Sequence, residues 1–237
     1  VHPETGELIT KERLEIKGLG KAKYILKPGG TLGDLYTNSD LVYNDDGYIE
    51  VDKNGNVAVK DDYMDDIYLG SVFPKYNLAW RNDFNYKGIN LGVLFTARIG
   101  GICYSATQAN MDLYGVSEAS AAARDAGGVM INGRDMIDAQ KWYQVIGSQS
   151  GLPQYYTYSA TNVRLQELSL GYTLPSKWFR DKMRMTVSFV GRNLWMIYCK
   201  APFDPEAVAS TGMNYQGIDY FMMPSMRNLG FNVKFQF

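Results

Sequence analysis

Histidine and cysteine are nearly missing from this 237-residue chain: one His, His2, and two Cys, Cys103 and Cys199. A Cys/His zinc centre needs three or four such ligands, so that chemistry is excluded. A Ser-His-Asp or Cys-His nucleophile would have to recruit His2, at an extreme end of the chain where fraying is the rule. Excess charge of one sign is missing too. Twenty-four Lys+Arg stand against twenty-five Asp+Glu, a net charge of -1, without the basic face that nucleic acid demands. Nor is there any run of about 18 consecutive apolar residues, so no transmembrane helix is expected. The two thiols are read as unpaired, and no metal or cofactor is expected.

What is present is alternation. Hydrophobic residues make up 46% of the chain and aromatics 14%, and much of that content recurs at every second position, the period of a β-strand. Ile89, Leu91, Val93, Phe95, Ala97 and Ile99 oppose Asn90, Gly92, Thr96 and Arg98. Met183, Met185, Val187 and Phe189 oppose Lys182, Arg184, Thr186 and Ser188. Tyr76, Leu78, Trp80, Phe84 and Tyr86 face away from Asn77, Arg81, Asp83 and Asn85; Leu229, Phe231, Val233, Phe235 and Phe237 face away from Asn228, Gly230, Asn232, Lys234 and Gln236. From Val163 to Thr173 the phase changes at Gln166-Glu167, which predicts a β-bulge. Strands are therefore expected at about 76–86, 88–99, 163–173, 182–193 and 227–237, with a weaker sixth at 19–26.

The connections alternate between short and long. Lys87-Gly88 and the stretch from Pro175 to Asp181 are tight; the segments at about 27–75, 100–162 and 194–225 are long. Antiparallel strands then carry every short turn at one end and every long loop at the other. Compact soluble domains rarely keep three loops longer than about 15 residues, whereas membrane barrels do so routinely. The loops also carry structure of their own. A hairpin is expected around Asn54-Gly55, with helices at 117–125, capped by Ser117, and at 134–145.

Candidate chemistry is thin. Asp52-Lys53-Asn54-Gly55-Asn56 lacks the glycine and glutamate spacing of a calcium loop and reads as a turn. The carboxylates of Asp61, Asp62, Asp65 and Asp66 read as solvated charge. Asp204 and Glu206 are the pair a glycosidase would use, but they lie two residues apart with nothing shaping a cleft. No catalytic residue is assigned. The polar faces of the strands form a hydrated wall, and apolar outside with polar inside is the signature of a transmembrane barrel. A terminal strand as apolar as Phe231, Val233, Phe235 and Phe237 resembles a barrel insertion signal; on a soluble edge it would promote aggregation.

Several blocks carry a resemblance. Arg164-Leu165 through Leu168-Ser169-Leu170-Gly171-Tyr172 to Pro175, Gly191-Arg192-Asn193-Leu194-Trp195 with Phe203-Asp204-Pro205-Glu206, and the ending Pro224 to Phe237 resemble blocks of the SusC/RagA family of TonB-linked outer-membrane transporters. Pro28-Gly29-Gly30-Thr31-Leu32-Gly33-Asp34-Leu35-Tyr36 and Gly70-Ser71-Val72-Phe73-Pro74-Lys75 are similar to further blocks, in the same order. The resemblance implies a barrel of about 22 strands closed by a plug, lidded by a SusD-like surface lipoprotein, often as paired complexes. It implies import of oligosaccharides or oligopeptides energised by TonB through a region outside these residues. It also implies an outer-membrane location in contact with lipid, with the C-terminus on the periplasmic side.

Five or six strands cannot close a barrel. The fold class expected is thus all-β: the C-terminal strands of a large antiparallel transmembrane β-barrel with long, partly structured extracellular loops. Trp142, Tyr143, Tyr155, Tyr156 and Tyr158 are the candidate substrate contacts, since aromatic rings stack on sugars and peptide groups alike. A soluble or surface-attached β-rich glycan-binding module is the alternative.

Overall fold

The computed structural model describes residues 13–61, 66–180, 182–209, 212 and 215–236. Phe237, Asp62, Asp65 and His2 lie outside the described residues. In chain order the strands begin with β1 (Leu14–Leu19), β2 (Ala22–Leu26), β3 (Asp34–Thr37), β4 (Asp40–Leu41), β5 (Val59–Lys60) and β6 (Ile67–Ser71). They continue with β7 (Tyr76–Tyr86), β8 (Ile89–Ile99), β9 (Ile102–Ser105), β10 (Val129–Ile131) and β11 (Asp135–Ile137). Last come β12 (Thr157–Ser159), β13 (Asn162–Thr173), β14 (Arg184–Cys199), β15 (Ile218–Asp219) and β16 (Asn228–Gln236). Three helices, α1 (Ala106–Leu113), α2 (Glu118–Asp125) and α3 (Ala139–Ile146), fall between β9 and β12. The fold is mostly antiparallel β, as the alternation predicts.

The chain divides into two compact units. The sheet unit comprises Pro74–Gly101, Ser159–Ala207 and the stretch from Met223 onward. Its single sheet has the order β16-β14-β13-β8-β7, every described pairing antiparallel. β7 and β8 are joined by Lys87 and Gly88, both at positive φ (46° and 85°), which a two-residue hairpin turn of the I′ type requires. The phase change is a bulge: register shifts between Leu165 and Glu167 against both neighbouring strands, leaving Gln166 unpaired. β14 runs on to Cys199, past the Asn193 at which alternation stops. Asn193 takes a left-handed φ of 51°, and two register shifts disrupt the period there.

The loop unit comprises the described residues up to Phe73, with Ile102–Tyr158 and Val208–Met222. The strand expected over 19–26 is present in part: Leu19 ends β1 and β2 runs Ala22–Leu26, inside a four-stranded sheet of order β1-β2-β3-β6 and not in the five-stranded one. Ala22, Tyr24 and Ile25 are all buried, and a strand covered on both faces has no alternation to read. The helix expected at 134–145 begins only at Ala139, where Asp138 caps it by accepting from the Lys141 N–H (3.1 Å). Residues 135–137 instead pair with Val129–Ile131. α2 starts where Ser117 accepts from the Ser120 N–H.

Burial separates the units. The described hydrophobic cluster, which includes Tyr24, Leu35, Val72, Tyr104, Ile137, Trp142, Leu152 and Ile218, belongs wholly to the loop unit. The large apolar side chains of the five-stranded sheet stay open: Tyr76 is 64% exposed, Trp80 63%, Tyr86 68% and Phe231 82%.

Candidate functional site

The register places like with like across the sheet. Phe84, Leu91, Leu170, Phe189 and Phe231 form one lateral row, and Asn82, Val93, Leu168, Gly191 and Leu229 the next. Trp80, Phe95, Leu165 and Trp195 form a third row, beyond the bulge. Trp80 stacks on Phe95 with centroids 5.7 Å apart, and Phe189 meets Phe231 edge-on at 5.5 Å. The bulge explains why odd and even residues of β13 share this face.

The opposite face is hydrated and charged. Arg81, Leu94, Glu167, Arg192 and Asn228 are register partners along one row. Glu167 accepts from Arg81 Nη1 (3.3 Å) and Arg192 Nε (3.0 Å), bridging three strands, and Arg81 also holds Asp83 at 2.9 Å. Gly92 and Gly171 leave room on this face: a Cβ at Gly92 would lie 2.5 Å from Ser169 Oγ, and one at Gly171 2.5 Å from Ser188 Oγ. The sheet is therefore a single layer, apolar on one side and polar on the other.

Among the described residues of the sheet unit, one arginine is buried. Arg164, with a side chain 3% exposed, donates Nε to Asn162 Oδ1 (3.2 Å) and Nη1 to Asn193 Oδ1 (3.4 Å), Ser225 Oγ (3.1 Å) and Asp204 Oδ2 (3.3 Å). Its Nη2 is paired with Asp204 Oδ1 and lies 3.4 Å from Glu206. Burial pushes the Asp204 carboxyl up, but hydrogen bonds from Arg164, Ser225 and the Glu206 N–H outweigh it and hold the group at about 2. Asp204 and Glu206 are thus ion-pair partners of Arg164. Sequence reasoning singled out the two carboxylates and missed the arginine, although Arg164, Asn193, Asp204 and Ser225 all sit in the blocks it quoted.

The five aromatic candidates lie in the loop unit in unlike settings. Trp142 and Tyr156 are buried. The Tyr156 hydroxyl donates to Asp112 Oδ2 (3.0 Å), and burial followed by the Asp112 charge pushes its pKa far upward. Tyr143 and Tyr158 are half-buried against the core. Tyr155 is open, with its ring 5.8 Å from Trp142 and edge-on to it.

A separate groove of about 630 Å³ runs beside the Asn54-Gly55 turn, with Tyr48, Ile49, Asn132 and Arg134 among its walls. Asn132 pins those walls by accepting from the Ile49 N–H and donating to its carbonyl, both at 2.9 Å. Asp66 carries two cations, Arg13 at 2.7 Å and Lys27 at 3.0 Å; the Arg13 hydrogen bond leads in holding its carboxyl at about 2. The Asp52 turn is closed by its own carboxylate, which accepts from the Asn54 and Asn56 N–H groups at 2.8 Å. Among the described residues no three His, Cys, Asp or Glu side chains are grouped to hold a metal ion, and Cys103 and Cys199 are not joined in a disulfide.

No protein-family model matches the chain. A curated relative does: TonB-dependent receptor P3 of Formosa agariphila is 25% identical over 198 residues, covering 79% of this chain. The chain is thus similar in sequence to a TonB-dependent receptor. It spans about 19% of the length of that receptor. Among solved structures, the RagAB peptide importer in its closed-closed state aligns over 94% of the chain and 28% of its own, at 14% identity and TM-score 0.48. The open-open state aligns over 94% and 27%, at 13% identity and TM-score 0.49. These scores are too low for the folds to be equated. A one-layer sheet needs another surface over its apolar side, and the blocks that carry the resemblance meet at Arg164.

Proposed function

We propose that these residues form part of the barrel wall and external loops of an outer-membrane importer of the SusC/RagA family. The observation that carries this reading is the open sheet itself. Five antiparallel strands present rows of Trp, Phe, Leu and Val on one face and Arg, Asp, Glu, Asn and Ser on the other. Among the described residues, no core of the sheet unit's own covers either face. In water, a contiguous apolar face of this kind has to be covered; in a bilayer, lipid covers it and the polar face lines an aqueous lumen.

The edges agree with this reading. β7 and β16 each pair on one side only within the described sheet, and further strands of the same barrel would satisfy both. The tight turns at 87–88 and 174–183 lie at the end where β16 finishes. By the convention of outer-membrane barrels that end is periplasmic, and the loop unit is then extracellular.

The cargo is an oligosaccharide or an oligopeptide, bound and released without covalent chemistry, so the protein is not an enzyme. Tyr155, with Tyr143 and Tyr158, offers ring surface for such a ligand, and Trp142 and Tyr156 support it from behind. A SusD-like surface lipoprotein is the external partner, in paired complexes, and TonB acts through a region beyond these residues.

The test is fractionation of the full receptor, followed by uptake of labelled oligosaccharides and oligopeptides in cells with and without it. Outer-membrane localisation, heat-modifiable migration and receptor-dependent uptake are expected. A 237-residue chain that is folded and monodisperse in detergent-free buffer would instead identify a soluble glycan-binding module.

A further inference from the structure

We propose that Arg164 is a positioning residue: it closes the base of the segment between β14 and β16, doing with charge what a disulfide does with a covalent bond. That segment leaves β14 after Cys199 and returns at Asn228. Its middle, Val208–Met222, belongs to the loop unit and supplies β15. Ile218 pairs there with Tyr104, and buried Asp219 accepts from Ser105 Oγ at 2.7 Å.

The two ends of the excursion meet at one node. Asp204 and Ser225, 21 positions apart, are joined by the Ser225 N–H (3.2 Å) and by its hydroxyl, both donating to Asp204 Oδ2. Asn193 Nδ2 donates to the Ser225 carbonyl (2.9 Å), and Asn162 Nδ2 to Glu206 Oε1 (3.2 Å). Arg164 touches all of these residues. The outgoing chain, the returning chain, β13 and β14 are therefore tied through a single planar guanidinium.

Three physical points give the node its weight. Arg164 is buried and the Asp204 side chain is only 9% exposed, so solvent does not screen the pair as it screens a surface bridge. Each nitrogen of the guanidinium is engaged, at angles a lysine ammonium cannot reproduce. Removing one member strands the other as an uncompensated buried charge, while removing both need not. A closed base fixes positions 204 and 225 against each other, which lowers the entropy of the chain that leaves and returns there.

The staple depends neither on the cargo nor on lipid, so its failure would leave the importer reading intact, and the converse holds. Hydrogen exchange by mass spectrometry on the full receptor reads it directly. Arg164→Met should raise opening across 203–226 on the order of a hundredfold, with protection of β13 beyond the bulge retained. Arg164→Lys should lie between wild type and Arg164→Met. Arg164→Met combined with Asp204→Leu should exchange more slowly over 203–226 than Arg164→Met alone. Unchanged exchange in 203–226 for Arg164→Met, or a double variant that exchanges no more slowly than Arg164→Met, would overturn the proposal. If Arg164→Met does not assemble, Ser225→Ala and Asn193→Ala each remove individual bonds. Several-fold faster exchange confined to 203–226 is then expected, and no change in either variant refutes the staple.

Discussion

Replacing Trp80 by arginine separates a lipid-facing sheet from a water-facing one by a worked amount. Tyr76 and Tyr86 lie on the apolar face at the two ends of β7, ten residues apart. At about 3.4 Å per residue and a strand tilt near 40°, they stand about 26 Å apart along the membrane normal, close to the ~25 Å apolar band of outer-membrane barrels. The midplane then falls near position 81, and the adjacent outward side chain on the same strand is Trp80. Arginine at the midplane of such a wall costs about 2–4 kcal/mol, and near the interfaces about 0–1. Trp80→Arg should therefore destabilise the full receptor in lipid vesicles by at least about 2–4 kcal/mol, with Tyr86→Arg within about 1. Denaturant titration of vesicle-reconstituted receptor, followed by heat-modifiable migration, gives the comparison. Trp80 is 63% exposed and stacks on Phe95, so in water the same change would cost about 1 kcal/mol, the worth of that stack. A Trp80→Arg cost no larger than that of Tyr86→Arg would refute the lipid-facing assignment.

Three further outcomes follow from the same geometry. The Asp204 carboxyl titrates at about 2, below its unfolded value of about 3.9, so its contribution of roughly 2–3 kcal/mol is complete above about pH 5 and lost as pH falls through 2. Asp204→Asn should flatten that part of the acid-unfolding profile. Glu167→Gln leaves Arg81 and Arg192 without their shared carboxylate. A loss of up to about 1 kcal/mol is expected, smaller in high salt, in denaturant titrations of the receptor at two salt concentrations. Trp142→Ala should unfold the loop unit by about 3–5 kcal/mol, read as accelerated proteolysis between residues 102 and 158. Tyr155→Ala should leave that stability nearly intact and lower cargo affinity; unchanged uptake would remove Tyr155 from the contact surface.

The five-stranded sheet was legible wherever one face of a strand is apolar and the other polar, as in β7, β8, β16 and most of β14. Even the bulge at Gln166 was visible, because inserting one residue flips every later side chain. The loop unit was less legible, for opposite physical reasons. Buried on both faces, β2 has no alternation to detect. α1 is short, and its cue is the Ser105-x-x-Gln108 spacing, in which Ser105 Oγ accepts from the Gln108 N–H at 3.1 Å. The Arg164 node was hidden because its members lie as far apart as positions 162 and 225. Sequence pattern detects periodicity along an element; it does not detect four segments converging on one side chain.

Single cysteines placed at each position from 228 to 236, in the full receptor with Cys103 and Cys199 replaced by serine, test the central claim most directly. Labelling in intact outer membranes with a water-soluble maleimide should alternate. Positions 228, 230, 232, 234 and 236 should react, while 229, 231, 233 and 235 should resist the aqueous reagent; fluorophores installed at those four should be quenched by brominated lipid. Uniform aqueous reactivity along β16, with no lipid quenching at position 231, would contradict a membrane-spanning wall.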